Sequence, residues 1–153
     1  MVRFEIDTTV EASLETCFDL ARSLSAHVES TSQTGERILE RPDYDLLQLG
    51  DVVTFEARHF GIRQKLTSKI AELDFPNSFR DEMLEGAFTS FTHDHQFTVI
   101  GTNRTKMVDI VEFRAPLGLI GKLVEIIVLR YYVRKFITDR AESLKKMAEN
   151  GNW

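Results

Sequence analysis

A chain of 153 residues can hide about 70% of the surface its unfolded form exposes, so no metal or disulfide is needed to hold it folded. The single cysteine, Cys17, excludes an internal disulfide framework, and the net charge of −5 argues against a nucleic-acid binder, which would cluster Lys and Arg toward phosphates. The amino terminus lacks the apolar core of a signal peptide, and the longest strongly apolar run, Ile126 to Leu129, is bounded by Glu125 and Arg130, far too short to span a bilayer. The expectation is a cytoplasmic protein, one domain over residues 1–153, with no membrane span and Cys17 as a buried structural thiol.

Val2 to Val10 alternates Val2, Phe4 and Ile6 against Arg3, Glu5 and Asp7, the period of a half-buried strand. Ser13 offers an N-cap, with Glu15 in the first turn, to a short helix carrying Leu14, Cys17, Phe18 and Ala21. A second short helix is expected from Ser25 to Thr31, then a short strand at Arg37 to Glu40 and an acidic loop broken by Pro42. From Asp51 the strand signal is continuous. Val53, Phe55, Ala57 and His59 share a face, Gly61 turns the chain, and Ile62, Gln64, Leu66, Ser68 and Ile70 share the next. After the Phe75-Pro76-Asn77 turn, Phe79, Asp81 and Met83 point together until Gly86 reverses the chain. Phe91, His93, His95, Phe97 and Val99 follow on one face, Gly101-Thr102-Asn103 closes a hairpin, and the last strand turns Met107, Asp109, Val111 and Phe113 to one side.

The run from Pro116 to Met147 reads as one long helix. On a wheel of 3.6 residues per turn, Leu119, Leu123, Ile126, Val133, Ile137, Ala141 and Leu144 share a face, flanked by Leu129, Phe136 and Met147. At about 1.5 Å per residue it is on the order of 45 Å long, so it must lie across something wide, and a broad antiparallel sheet is the partner at hand. Arg130 falls near the centre of that face; it either snorkels to water or enters a polar cavity. Arg134, Lys135, Arg140, Lys145 and Lys146 gather late in the helix, where cations complement its dipole.

The inward rows are apolar but carry His59, Gln64, Ser68, Asp81, His93 and His95, joined by Asp109 if its side of the last strand, opposite Val108 and Ile110, is the inner one. Such groups either satisfy one another or line a wet pocket. His93 and His95, two apart on a strand, project to one side with Asp81 near enough to add an oxygen. A catalytic zinc normally takes three protein ligands, and with no further ligand signature no metal or other cofactor is expected. The candidate catalytic residues are Asp81, His93 and His95, by proton exchange with a substrate within hydrogen-bond reach. No phosphate loop, nucleophile elbow or zincin pattern occurs.

The run Ala57-Arg58-His59-Phe60-Gly61 with Gln64 and Leu66-Thr67-Ser68 resembles a group of bacterial proteins of the SRPBCC superfamily, related to START domains, the Bet v 1 allergens and polyketide cyclases. So do Phe79-x-Asp81-Glu82-Met83 with Gly86, Phe88, Phe91, His93-x-His95 and Phe97, then Asp109, Pro116-Leu117-Gly118, Gly121 and the helix bearing Arg130. The likeness spans roughly residues 2 to 148 and departs from the group between Arg37 and Leu49. It implies an α+β helix-grip fold, in which a curved antiparallel sheet wraps a long carboxyl-terminal helix around an internal cavity. Members generally bind lipids, sterols, polyketides or other apolar molecules, some are cyclases or dehydratases, and similar bacterial proteins carry a cell-division label.

The expected function is binding or transport of a small, mainly hydrophobic molecule. The ligand-binding candidates are His59, Gln64, Leu66, Asp81, Met83, Phe91, His93, His95, Phe97 and Arg130. A cyclase or dehydratase using Asp81 with His93 or His95 is the alternative. A third reading is an interaction module, with Val124, Ile127, Val128, Tyr131 and Tyr132 forming an apolar band suited to a homodimer through the terminal helix.

Overall fold

The structure is a computed structural model that describes residues 1–116, 123 and 125–151, without the side chains of residues 125 and 126. Seven antiparallel strands form one sheet in the order β1-β7-β6-β5-β4-β3-β2. They are β1 (Val2–Val10), β2 (Arg37–Glu40), β3 (Val52–His59), β4 (Ile62–Asp74), β5 (Ser78–Glu85), β6 (Ser90–Gly101) and β7 (Arg104–Arg114). Two short helices, α1 (Leu14–Arg22) and α2 (Leu24–Ser30), cross between β1 and β2, and a 21-residue helix, α3 (Arg130–Asn150), follows the last strand.

Local chemistry explains the breaks. The Ser13 hydroxyl accepts the Thr16 N–H (3.2 Å) at the start of α1. Ser23 both ends α1 and caps α2, accepting from the Ala26 N–H at 3.1 Å, so one residue turns the chain between two helices. The β3–β4 hairpin closes on Phe60 and Gly61, both with positive φ (54° and 73°), the backbone a two-residue primed turn requires.

Burial along β1 alternates strictly, with Val2, Phe4, Ile6, Thr8 and Val10 inward. On β7 the inward row is Met107, Asp109, Val111 and Phe113, which decides a strand whose sequence is apolar on both faces. Val99 departs from its row and is exposed, at the strand end just before a register shift between Val99 and Gly101. On the outer face, Glu56 is buried between Arg37 (2.6 Å) and Arg63 (2.7 Å).

The expected helix start, with Leu117, Gly118, Leu119, Gly121 and Val124, lies outside the described residues, as does the Ile126 side chain. The carboxyl-terminal half agrees with the wheel: Val133, Ile137, Ala141, Leu144 and Met147 are buried. Two positions do not. Leu123 is exposed, and so is Arg130. Glu125–Leu129 is a π-helical turn, which takes more residues per turn than an α-helix, so a phase set by residues before it does not carry into α3. Within α3 the inward arc runs through Val133, Phe136, Ile137 and Arg140, and Arg130 lies at its margin. Ile127, Val128 and Tyr131 are exposed, whereas Tyr132 turns inward, away from the apolar band expected of it.

Two apolar clusters hold the layers together. One gathers Phe18, Leu24, Phe79, Phe97, Leu144 and Met147 beneath α1 and the end of α3; the other joins Phe4, Val111 and Phe113 to Val133 and Ile137. Phe18 meets Phe79 and Phe97 at centroid distances of 5.3 Å, so that end of the fold is solid. Between the two clusters the packing opens.

Candidate functional site

A chamber of about 290 Å³ lies between the sheet and α3. Phe55, Ala57, Leu66, Ile70, Phe79, Met83 and Phe91 supply its sheet wall, Leu24 and Leu47 one end, and Val133, Phe136 and Ile137 the helix wall. Its exposed lining residues, Phe60, Lys65, Ala87 and Pro116, mark a mouth, while buried His93 and Arg140 lie deep. At the mouth, His59 Nδ1 and the Tyr132 hydroxyl are 2.7 Å apart, and Phe60 packs on the Tyr132 ring at 4.4 Å. Burial lowers the His59 pKa, so this imidazole is neutral near pH 7.

The polar groups deep inside are placed by strand register. Asp81 on β5 pairs with His93 on β6, and His95 on β6 with Asp109 on β7; all four stand on the inner face. Their side chains then bond diagonally: His93 Nε2 donates to Asp109 Oδ1 (2.7 Å), and His95 Nε2 to Asp81 Oδ2 (2.8 Å). His95 Nδ1 reaches the same Asp109 oxygen at 3.2 Å, and the two imidazoles stack 3.8 Å apart.

Two stacked imidazoles at this distance cannot both be charged cheaply, and the surroundings decide between them. Burial alone would lower the His95 pKa, but hydrogen bonds to Asp109 and Asp81 raise it above the ordinary histidine value. For His93, burial and the neighbouring His95 charge outweigh its single carboxylate and lower it. Of the two imidazoles, His95 is therefore the one that protonates first as pH falls. Burial opposes ionisation of Asp81 and Asp109, yet their histidine bonds hold both below the usual carboxylate range. With Asp109 charged, His93 Nε2 keeps its hydrogen, and Nδ1 carries the lone pair of a neutral imidazole that lines the chamber.

Donor atoms of Asp81, His93 and His95 all lie within 4.8 Å of one another, a spacing that suits a metal ion. His95 Nε2 donates to Asp81, however, and its Nδ1 faces Asp109 at 3.2 Å, so a protonated His95 in this network has no lone pair to give.

Of the sequence-derived candidates, His59, Gln64, Leu66, Asp81, Met83, Phe91 and His93 line the chamber. His95 and Phe97 do not: His95 lies behind His93, stacked also on Phe79 at 4.2 Å, and Phe97 belongs to the cluster around Phe18. Arg130, on the surface, is replaced in the chamber by Arg140, buried with 5% of its surface exposed. The dipole explanation thus does not describe Arg140, whose position three after Ile137 and four before Leu144 puts it on the buried face. Glu36 and His27 also line the chamber and were missed. They bond at 2.6 Å, which holds the Glu36 pKa low against the opposing effect of burial, and the His27 ring stacks on Phe55 at 4.5 Å.

No family model matches the sequence, and no curated protein does either. Solved structures do match by shape. A START superfamily protein from Mycobacterium smegmatis has a TM-score of 0.75 at 13% identity, with 97% of each chain covered. An aromatase/cyclase, Zhui, from a Streptomyces species has a TM-score of 0.70 at 16% identity, with 99% of each chain covered. A major latex-like protein from Panax ginseng has a TM-score of 0.70 at 12% identity, covering 96% of this chain and 97% of that one. At these identities the likeness establishes the fold, which is the helix-grip fold of the START and Bet v 1-like, SRPBCC-type proteins. No helix among the described residues is long and apolar enough to cross a membrane.

Proposed function

We propose that the protein binds a small, mainly apolar molecule in the chamber between sheet and α3, as a carrier or sensor. The observation that carries this reading is an apolar-walled space of about 290 Å³, at the lower end of the range for small-molecule sites, with His93, Asp81 and Arg140 gathered deep within it. Phe55, Leu66, Met83 and Phe91 give the contact area, and the ionisable groups orient a polar end. The name of the M. smegmatis neighbour, a START superfamily protein, agrees with this reading. Solvent extraction of the purified protein, followed by mass spectrometry, should recover a bound apolar compound, and the emptied protein should take up the neutral dye Nile red. Failure of the emptied protein to take up any apolar probe would remove the proposal.

A second reading is proton-transfer catalysis of the cyclase or dehydratase kind. Its support is the His93–Asp109 pair: the carboxylate fixes the tautomer and stabilises an imidazolium, while Nδ1 is the basic atom. Of the two expected pairings the bond is Asp81 with His95, while the chamber-lining His93 bonds Asp109, a partner the sequence expectation did not give it. The Zhui neighbour is named an aromatase/cyclase, which agrees with this alternative. Turnover of an aromatisable β-keto thioester by the native protein, abolished in His93→Gln, is the expected result; no turnover in either disposes of it.

A further inference from the structure

The carboxylates that line the chamber, and Asp109 behind His93, each have an imidazole for a partner: Glu36 has His27, Asp81 has His95, and Asp109 has both His93 and His95. The guanidinium does not share in this pairing. Arg140 is buried, yet its one hydrogen bond among the described residues runs from Nη2 to the carbonyl oxygen of Ala21 at 3.0 Å. Among the described residues its Nε is buried with no acceptor, and no carboxylate is ion-paired to it. A guanidinium offers five N–H donors, and burying it on one neutral acceptor costs far more than such a bond returns.

We infer that Arg140 is the recognition group for a ligand oxygen anion, so that the occupant is an apolar molecule ending in a carboxylate or an equivalent acidic oxygen. This rests on the chamber being a ligand site, and adds which class of molecule fills it. Geometry supports the assignment: Arg140 lines the deep part of the chamber, so an occupant entering at Phe60 and Ala87 meets the apolar walls first and the cation last. Asp81 and Glu36, which share the chamber lining with Arg140, both feel its charge, yet neither is ion-paired to it. An amine or ammonium end would place a second cation against Arg140. A hydroxyl end would supply a neutral acceptor where a charge is wanted.

The test needs no mutant at its first step. Displacement of Nile red from the emptied native protein is compared for two matched sets: decanoate, decanol and decylamine, and 1-naphthoate, 1-naphthol and 1-naphthylamine. In at least one set the acid should bind at least about tenfold more tightly than the alcohol and the amine, as a charge-assisted hydrogen bond requires. Arg140→Met should erase that preference while still taking up Nile red; Arg140→Lys, which keeps the charge but loses the planar donor array, should retain part of it. Equal binding of acid and alcohol in both sets, or an acid preference that survives Arg140→Met, overturns the inference and leaves apolar binding intact. Failure of every probe and of the dye would instead strike the ligand-binding proposal beneath it.

Discussion

Replacement of Asp109 by Asn tests whether the inner cluster is a charged network. The substitution keeps volume and shape but removes the charge that faces His93 at 2.7 Å and His95 at 3.2 Å. Hydrogen bonds to charged groups contribute about 1.5–3 kcal/mol each, and removing one partner of a buried ionic group typically costs about 3–5 kcal/mol. The Asn oxygen can still accept from one imidazole, so the lower part of that range, roughly 3 kcal/mol, is expected. At this chain length each kcal/mol moves Tm by about 2–4 °C, so Asp109→Asn should melt roughly 6–12 °C below the native protein at pH 7. Calorimetry gives Tm, and nuclear magnetic resonance titration of the imidazole carbons gives a second readout, in which His95 should lose its proton at lower pH than in the native protein. A fall in Tm of less than about 3 °C with unaltered titration of His95 would refute the charged-network reasoning.

Three further outcomes follow from the same geometry. Asp81, Asp109 and Glu36 all have folded pKa values below their ordinary ones, so the stability they contribute is complete above the carboxylate range, about pH 4, and is lost as pH falls through the folded values. The lowered His93 acts in the same sense below about pH 6.5, whereas the raised His95 contributes stability below about pH 6.5 that is lost as pH rises through its folded value. Tm should therefore fall on acidification and more shallowly in Asp109→Asn, and a native profile flat from pH 7 to pH 3 would contradict this. Gly86→Ala should shrink the chamber, because an added Cβ would lie 2.7 Å from Met83 Sδ and 3.0 Å from Leu66 Cδ1; Met83 must move, and Nile red capacity should drop several-fold with Tm nearly unchanged. Tyr132→Phe removes the hydroxyl bonded to His59 and should cost about 1 kcal/mol while quickening dye release in stopped flow; release at the native rate would show that the pair does not restrain the mouth.

Much of the fold was legible because strands with one buried face state their orientation directly. Once Val2, Phe4 and Ile6 alternate with charges, or Asp81 stands two after Phe79, the period of two assigns each side chain to a face. The same rule put His93 and His95 inside and left Asp109 open, but it could not pair them, since diagonal bonding depends on register between strands rather than on pattern within one. Phe97 has the right face, yet α1 covers it with Phe18, a tertiary fact no period encodes. The arginine was misassigned for a different reason. A wheel drawn straight through Glu125–Leu129 carries its phase across a turn that is not α-helical, and it centres on Arg130 instead of Arg140. Glu36 sits outside any periodic element, at the edge of an irregular stretch, and left no signal.

The bonds from Asp81 to His95 to Asp109 stitch β5, β6 and β7 together from within. If any of these three strands slid by one residue, an ionised group would be turned from its counter-charge, so this side of the barrel-like wrap behaves as a fixed jamb. Across the opening, the β3–β4 hairpin and the start of α3 meet through a neutral hydrogen bond, the tilted rings of Phe60 and Tyr132, and the edge of His59 against Phe136. Admission and escape should thus proceed as a door swings, hinged on the weakly latched side, and the time a visitor stays would be set there rather than by the groups that grip it.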